Sequence, residues 1–426
     1  MRVPEESIVG TAADPKLPTN PTLRVLPVVL FNLLIYFVIG LPNAVMSGMF
    51  VVNTLGFDTG VAGTTITLQY LGTFATRLVA GQLVDKYGPK KILTWGLIAC
   101  VISGLLVCLA AIIPTIFGTD GKLTHGTWRY VALGIALLSR LFIGWAESWT
   151  ATSVTTWNMR RVGLAHTSVA ISWNGVTSYG GIALGVTVGE FLGAKVMPQC
   201  SLLPVGMLAV AIGIGALILL SFYVGVKPLD RKGAPMSFLT AVRKVLPYGS
   251  GLAAGSFGFG TVNGFLSLYY ESNHWYDIGL TFIIFAAVFI GVRILFSNQI
   301  DIRGGMPVAA VSLLTETIAM GLFSFGHSEV SAMVATGLTA AGFSLLFPAL
   351  GTEAVKTDGP EYSGILLAAY SIFTDLTIFL VGPCMGYIKD HSSWSVMFAV
   401  VGVLCFSGIF LSYGLKALSN KQIRQG

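Results

Sequence analysis

The chain has 426 residues, of which 54% are hydrophobic and only 10% charged, with a mean hydropathy of +0.78. A soluble domain carries about a quarter charged residues, so a soluble enzyme or binding module is excluded and a membrane protein is expected. The formal charge of +6 needs no nucleic-acid partner, because its placement reports membrane topology.

A membrane-spanning helix needs roughly 20 consecutive apolar residues. Twelve such windows lie near 25–50, 61–84, 92–113, 130–157, 164–192, 203–225, 246–272, 278–300, 307–326, 330–355, 362–388 and 394–415. They are continuously apolar and do not alternate with period two. That excludes a barrel and leaves an all-α polytopic bundle.

The expected domains are a cytoplasmic tail at 1–24, a six-helix bundle at 25–225, a linker at 226–247, a second bundle at 248–415 and a tail at 416–426. The first tail has no apolar core of signal-peptide form. Cys100, Cys108, Cys200, Cys384 and Cys405 are odd in number and lie mostly inside the windows, so they read as packing residues without a disulfide framework.

Span 1 places Asn32, Tyr36 and Asn43 on one stripe. Span 2 ends in "RLVAGQLVDKYGPKK": an apolar run with a lone Arg77, then Asp85, Gly88, Lys90 and Lys91 at the exit. Arg77 sits eight residues before Asp85, about 12 Å up the helix, from where it either snorkels to the surface or pairs across helices.

Span 4 is the most informative. At about 100° per residue, Arg140, Gly144, Glu147, Ala151 and Asn158 form one stripe, with Trp149 opposite. A charge near mid-membrane costs at least about 2.5 to 3.5 kcal/mol, so such residues face the interior and are paired. Arg140 and Glu147 are expected to pair directly, or through substrate or water; a purely structural ion pair is the alternative.

Span 5 carries Trp173 and Asn174 mid-helix, then Gly181, Gly185, Gly189 and Gly193 at four-residue spacing. Such spacing lets backbones approach closely and suggests a ridge on which two bundles rock. Span 7 repeats the polar stripe with Ser256, Asn263, Ser267 and Tyr270. Neutral polar groups of this kind either line a path or glue helices together.

Glu316 in span 9 reads as structural, and Glu190, Glu271 and Glu353 as interfacial. Pro348 in span 10 is a candidate hinge. Asp375 lies in span 11 on a face with Ala368, Ser371 and Gly382. A carboxylate buried without a cation favours its neutral form, which suits a proton carrier.

The opening window recurs. "RLVAGQLVDKYG" from Arg77 matches "RILFSNQIDIRG" from Arg293, aligning Arg77 with Arg293, Asp85 with Asp301 and Gly88 with Gly304 at an offset of 216 residues. The halves are therefore repeats in one orientation, and Arg77, Gly81, Asp85, Gly88, Lys90, Lys91, Arg293, Asp301 and Gly304 form a candidate gate. With the termini cytoplasmic, only Lys122, Arg129, Lys195 and Lys389 of the 25 Lys and Arg residues face outward, and Arg77, Arg140 and Arg293 lie within spans. This asymmetry places both termini inside.

"GQLVDKYGPKK" resembles the loop signature between spans 2 and 3 of the major facilitator superfamily, with Pro89 replacing a usual basic residue. "RLFIGWAES", "ISWNGVTSYG" and "SLLFPALGTEAVK" are similar to its bacterial branch typified by YhhS and YfcJ. The resemblance implies two pseudo-symmetric six-helix bundles rocking about a central site lined by spans 1, 4, 7 and 10. It also implies that Asp85 helps close the cytoplasmic side and that Arg140 takes part in proton coupling. The drug/proton antiporters of the superfamily carry a proline in their span 5 motif. "GIALGVTVGE" lacks it, and a partial echo, "VGPCMG", stands in span 11.

The expected function is secondary active transport of a small organic solute. Asp375, Glu147 and Arg140 are its proton-coupling candidates. Its substrate-binding candidates are Asn32, Tyr36, Asn43, Arg140, Glu147, Trp173, Asn174, Asn263, Ser267 and Tyr270. Efflux by proton antiport is favoured on branch resemblance; uptake by symport of a sugar, organic acid or amino acid derivative is the alternative. His125, His166, His274, His327 and His391 form no ligand-spaced pair, and no phosphate-cradling loop occurs. An intramembrane enzyme is thus disfavoured, and no cofactor or metal is expected. The expected partners are the solute, protons and the bilayer, for a monomer in a bacterial inner membrane.

Overall fold

The computed structural model describes residues 20–43, 45–162, 167–197, 200–225, 236–276, 278–355 and 363–425. The side chains at 78, 85, 167–168, 171–172, 363–364 and 418–425 fall outside that description. Residues 1–19 of the expected tail and 226–235 of the expected linker therefore lie outside it, as does the side chain of Asp85.

The described residues form fourteen α-helices: α1 (Pro21–Gly40), α2 (Thr59–Thr67), α3 (Gln69–Tyr87), α4 (Pro89–Phe117), α5 (Thr127–Val162), α6 (Thr167–Phe191), α7 (Leu202–Ser221), α8 (Phe238–Ser272), α9 (Ile278–Phe296), α10 (Gln299–Arg303), α11 (Gly305–Phe325), α12 (Glu329–Val355), α13 (Ser363–His391) and α14 (Trp394–Gln425). A π-helical segment, Val45–Thr54, continues α1, and a shorter one, Leu192–Val196, continues α6. No strand occurs among the described residues, only an isolated bridge between Thr119 and Lys122.

Local chemistry explains the ends. Asn20 accepts the Thr22 N–H at 2.9 Å to cap α1, and Asp58 accepts the Val61 N–H at 2.8 Å to cap α2. Gly88 (φ 84°) and Gly304 (φ 85°) end α3 and α10 in the left-handed region, where a Cβ is strained. The two halves therefore make the same turn at the same repeat position. α8 begins at Phe238, inside the expected linker, and α14 runs on to Gln425. α12 is continuous through Pro348.

Among the described residues, nine helical segments are long and apolar enough to cross a membrane. Those left out are α2 with α3, α6 and α8. Their sequences are rich in Gly, Ser and Thr, which lowers hydropathy. The same residues place these helices inside the bundle.

The packing falls into two groups. In the first, α1 lies on α5 and α6, α3 on α5, and α4 on α5 and α7. In the second, α8 lies on α12, α13 and α14, α11 on α12 and α14, and α9 on α12. The groups meet where α13 packs on α2 and α3, where α6 packs on α9, and where α8 touches α2 and the first π segment.

The glycine ridge corrects an expectation. A Cβ at Gly181 would lie 2.9 Å from the Leu33 carbonyl; at Gly185 and Gly189 it would meet the carbonyls of Phe37 and Leu41, and at Gly193 the Val45 side chain at 2.7 Å. The ridge therefore buries α6 against α1 and its continuation, within one half. The contact between the halves uses Gly382 and Gly386 of "VGPCMG" instead: Gly382 sits on Thr64 and Thr67, and a Cβ at Gly386 would lie 2.5 Å from the Gly60 Cα.

Candidate functional site

Seven residues with buried or partly buried polar groups, from Tyr36 to Tyr70, join into one chain of hydrogen bonds. Tyr36 of α1 donates to Glu147 Oε1 at 3.2 Å. Glu147 Oε2 accepts from Gln69 Nε2 at 3.2 Å and from Thr73 Oγ1 at 3.1 Å. Gln69 Oε1 in turn accepts from Arg140 Nη2, which also reaches the Ile66 carbonyl at 3.4 Å and Asn43 Oδ1 at 3.5 Å. Asn43 then donates to Asn263 Oδ1 at 3.1 Å, and Asn263 donates to the Tyr70 hydroxyl at 3.4 Å.

Arg140 and Glu147 are thus not in direct contact. Gln69, at the start of α3, bridges them with one amide, donating to the acid and accepting from the base. It can do so because α3 and α5 cross closely, Gly144 lying on the Gln69 carbonyl. Arg140 is 2% and Glu147 4% exposed. Buried charges of this kind persist only when hydrogen-bonded.

Asp375 corrects the expectation that it lies without a cation. Its carboxylate accepts from Arg77 Nε at 2.5 Å and Nη2 at 3.3 Å. This bridge joins α3 to α13, and so one half of the molecule to the other. Arg77 therefore pairs across helices and does not snorkel. Glu147 and Tyr36 lie close enough to the pair to interact with it electrostatically.

Other candidates are committed to helix packing. Asn32 donates to the Asn174 carbonyl at 3.1 Å, Thr177 at 3.0 Å and Ser178 at 2.9 Å, which clasps α1 to α6. Asn174 donates to Thr155 at 2.9 Å. Tyr270 and Thr281 hydroxyls meet at 2.7 Å, tying α8 to α9, and Ser256 donates to Thr374 at 3.3 Å. Trp173 is partly buried against the hydrophobic core, and Ser267 is partly buried on α8.

The candidate gate divides. Lys90 donates to the Tyr223 carbonyl at 2.5 Å, and Lys91 lies over the rings of Tyr87 and Trp95, so both lysines fasten α4 to its neighbours. Gly81 faces open space, and Asp301 is exposed. Arg293 lies over Gly175 of α6. Glu316 is fully buried beside Cys405 and beneath Gly255, Gly258 and Gly342.

Two acids read as interfacial or overlooked prove to join the halves. Glu271 of α8 accepts from Asn53, and Asp390 of α13 accepts from the Thr59 hydroxyl and from the Gly60 N–H at 3.0 Å. Asp390 thereby supplies a second cap to α2 from the opposite half. A narrow apolar cavity of about 10 Å³, bordered by Asn263, is lined by Tyr179, Ile182, Ala183, Phe259, Val262, Phe282 and Phe285. Gln69 and Tyr179 carried a weak sequence signal, a lone polar or aromatic residue within an apolar window, while Asp390 stands next to Lys389, 3.6 Å from it, and its reach to α2 has no local signature.

Residues 28–382 match the family model of the Major Facilitator Superfamily. An uncharacterised MFS-type transporter of Burkholderia mallei is 37% identical over 402 residues, covering 94% of this chain and 93% of that protein. A second, from Pseudomonas aeruginosa, is 34% identical over 405 residues, with 94% and 95% covered. Among solved structures, the human organic anion transporter MFSD10 (TETRAN) superposes with a TM-score of 0.67 at 15% identity, covering 92% of this chain and all of that one. The POT family transporter PepTSo superposes with a TM-score of 0.68 at 9% identity, covering 95% and 99%.

Proposed function

Because the chain belongs to the Major Facilitator Superfamily, a family of transporters, we propose that it is a proton-coupled secondary transporter exporting a small organic solute by antiport. The observation that carries this reading is the Arg77–Asp375 bridge across the two halves, with Glu147 beside it. Protonating Asp375 removes the charge that holds Arg77, so proton uptake weakens one contact between the halves. Glu147, held by Tyr36, Gln69 and Thr73, is the second acid able to take a proton, and Arg140 senses its charge through Gln69.

Asn43 and Asn263 meet from opposite halves in the same chain of hydrogen bonds, and with the aromatic pocket they offer a solute both polar and apolar surface. That supports a small amphipathic or weakly anionic solute. Uptake by symport needs only the opposite sign of coupling between proton and solute. In this proposal the protein is a monomer of a bacterial inner membrane with both termini cytoplasmic, and Asp85, Gly88, Asp301 and Gly304 shape the cytoplasmic gate.

The test is internal pH in proteoliposomes, read by a trapped dye during challenge with organic acids, sugars, amino acids and amphipathic drugs. Wild type is expected to move protons with at least one class, against the solute. Asp375→Asn is expected to lose gradient-driven transport but keep solute exchange at equal pH. Full accumulation by Asp375→Asn would refute the coupling role.

A further inference from the structure

Arg293 is the repeat counterpart of Arg77, yet its surroundings differ. It is 9% exposed on α9, and no hydrogen bond or ion pair engages it among the described residues. Where Asp375 faces Arg77, the facing helix α6 offers Gly175: a Cβ there would lie 2.9 Å from Arg293 Nη1 and 3.1 Å from its Cζ. The guanidinium also lies 5.9 Å from the ring centroid of Phe289, one turn back on α9, and close enough to Tyr179 to interact electrostatically. The repeat has kept the cation and left out the acid.

A guanidinium carries five N–H donors and cannot shed its charge. Nearly buried with no protein acceptor among the described residues, it is costly unless water or an anion completes it. Tyr179 joins this place to the pocket, since its ring packs on Phe289 at a tilt of 34° with centroids 3.9 Å apart and lines the pocket together with Phe259 and Phe285. A cation thus stands beside an apolar aromatic pocket, in a layer where two halves meet.

We propose that Arg293 binds the carboxylate of the transported solute, whose apolar body lies against Tyr179, Phe259 and Phe285. The substrate class is a small organic monoanion with an aromatic or aliphatic body. This rests on the transporter reading above but not on proton coupling. Gly175 is a specificity residue here, because it leaves Arg293 uncompensated until solute arrives.

The experiment is ligand-induced thermal stabilisation of purified full-length protein in a neutral detergent, with benzoate and hexanoate as probes, benzamide as the uncharged isostere and phosphatidylglycerol as a lipid anion. Wild type is expected to be stabilised by the carboxylates and not by benzamide. Arg293→Gln should weaken the apparent affinity by about tenfold or more, the worth of a charge-assisted hydrogen bond. Gly175→Asp should do the same by supplying the missing acid, and it reads the idea independently if Arg293→Gln fails to fold. No stabilisation of wild type by either carboxylate, or equal stabilisation of both variants, overturns the proposal. Stabilisation by phosphatidylglycerol alone also overturns it and assigns Arg293 to a lipid headgroup. Proton movement is read separately in vesicles, so failure of coupling leaves this result standing.

Discussion

Gln69 shows how much a single neutral side chain can carry in a bilayer. Its amide satisfies Arg140 and Glu147 at once, and neither has a direct charged partner. Gln69→Leu would leave a buried acid and a buried base each short of one bond. Hydrogen bonds to charged groups are worth about 1.5 to 3 kcal/mol each, so the variant should melt several degrees lower than wild type and lose proton-coupled transport. An unchanged melting point would mean that water or a rearranged Asn43 replaces the amide. At this scale the sequence marked Arg140, Glu147 and Asp375 correctly as unusual, because charge inside an apolar helix is expensive wherever it points. It did not reveal Gln69 as the bridge or Arg77 as the partner of Asp375, since those contacts join residues 71 and 298 positions apart.

Among the elements, α6 and α13 occupy corresponding places in the two halves but use their small residues differently. On α6, Gly181, Gly185 and Gly189 lie on the carbonyls of Leu33, Phe37 and Leu41, so a Cβ at these three collides with backbone, which cannot move aside. Gly185→Val is expected to cost about 1 to 3 kcal/mol by overpacking, seen as a lower melting point and loss of monodisperse protein. A folded Gly185→Val protein arrested in transport would instead support a rocking surface at this ridge. On α13, Gly382 and Gly386 bring the halves together on α2. Four-residue spacing was legible in both sequences; which neighbour it serves was not, because spacing describes one face of one helix and says nothing of what lies across it.

Across the whole molecule, the contacts between halves cluster along α2–α3 with α13 and along α6 with α9. The latches at the α2 end are Glu271 with Asn53 and Asp390 with Thr59 and Gly60, and the Arg77–Asp375 bridge lies further along the same seam. The contact at the α2 end thus includes carboxylates reaching across. Removing them with Asp390→Ala and Glu271→Ala should expose the seam. Thr67→Cys, buried at 0% exposure against Gly382, should then react with a membrane-impermeant maleimide several-fold faster in a Cys384→Ser background. An unchanged rate would show that apolar packing alone holds the seam shut.

Composition, continuous apolar windows and the 216-residue repeat determined that this is an all-α membrane protein of two like halves. Hydropathy and helix termination are local properties, written within about 20 residues of chain. The repeated glycine turns after α3 and α10 were legible for the same reason, since a backbone conformation that excludes Cβ has a one-residue signature. Only the tertiary structure decided that Asp375 holds Arg77, that Gln69 divides Arg140 from Glu147, and that Arg293 meets Gly175 and no acid. These are pairings between helices far apart in sequence, set by the rotation and depth of each helix against its neighbours. In lipid, every apolar face is equally well solvated, so the hydrophobic pattern that places a helix in the membrane does not choose what it touches there.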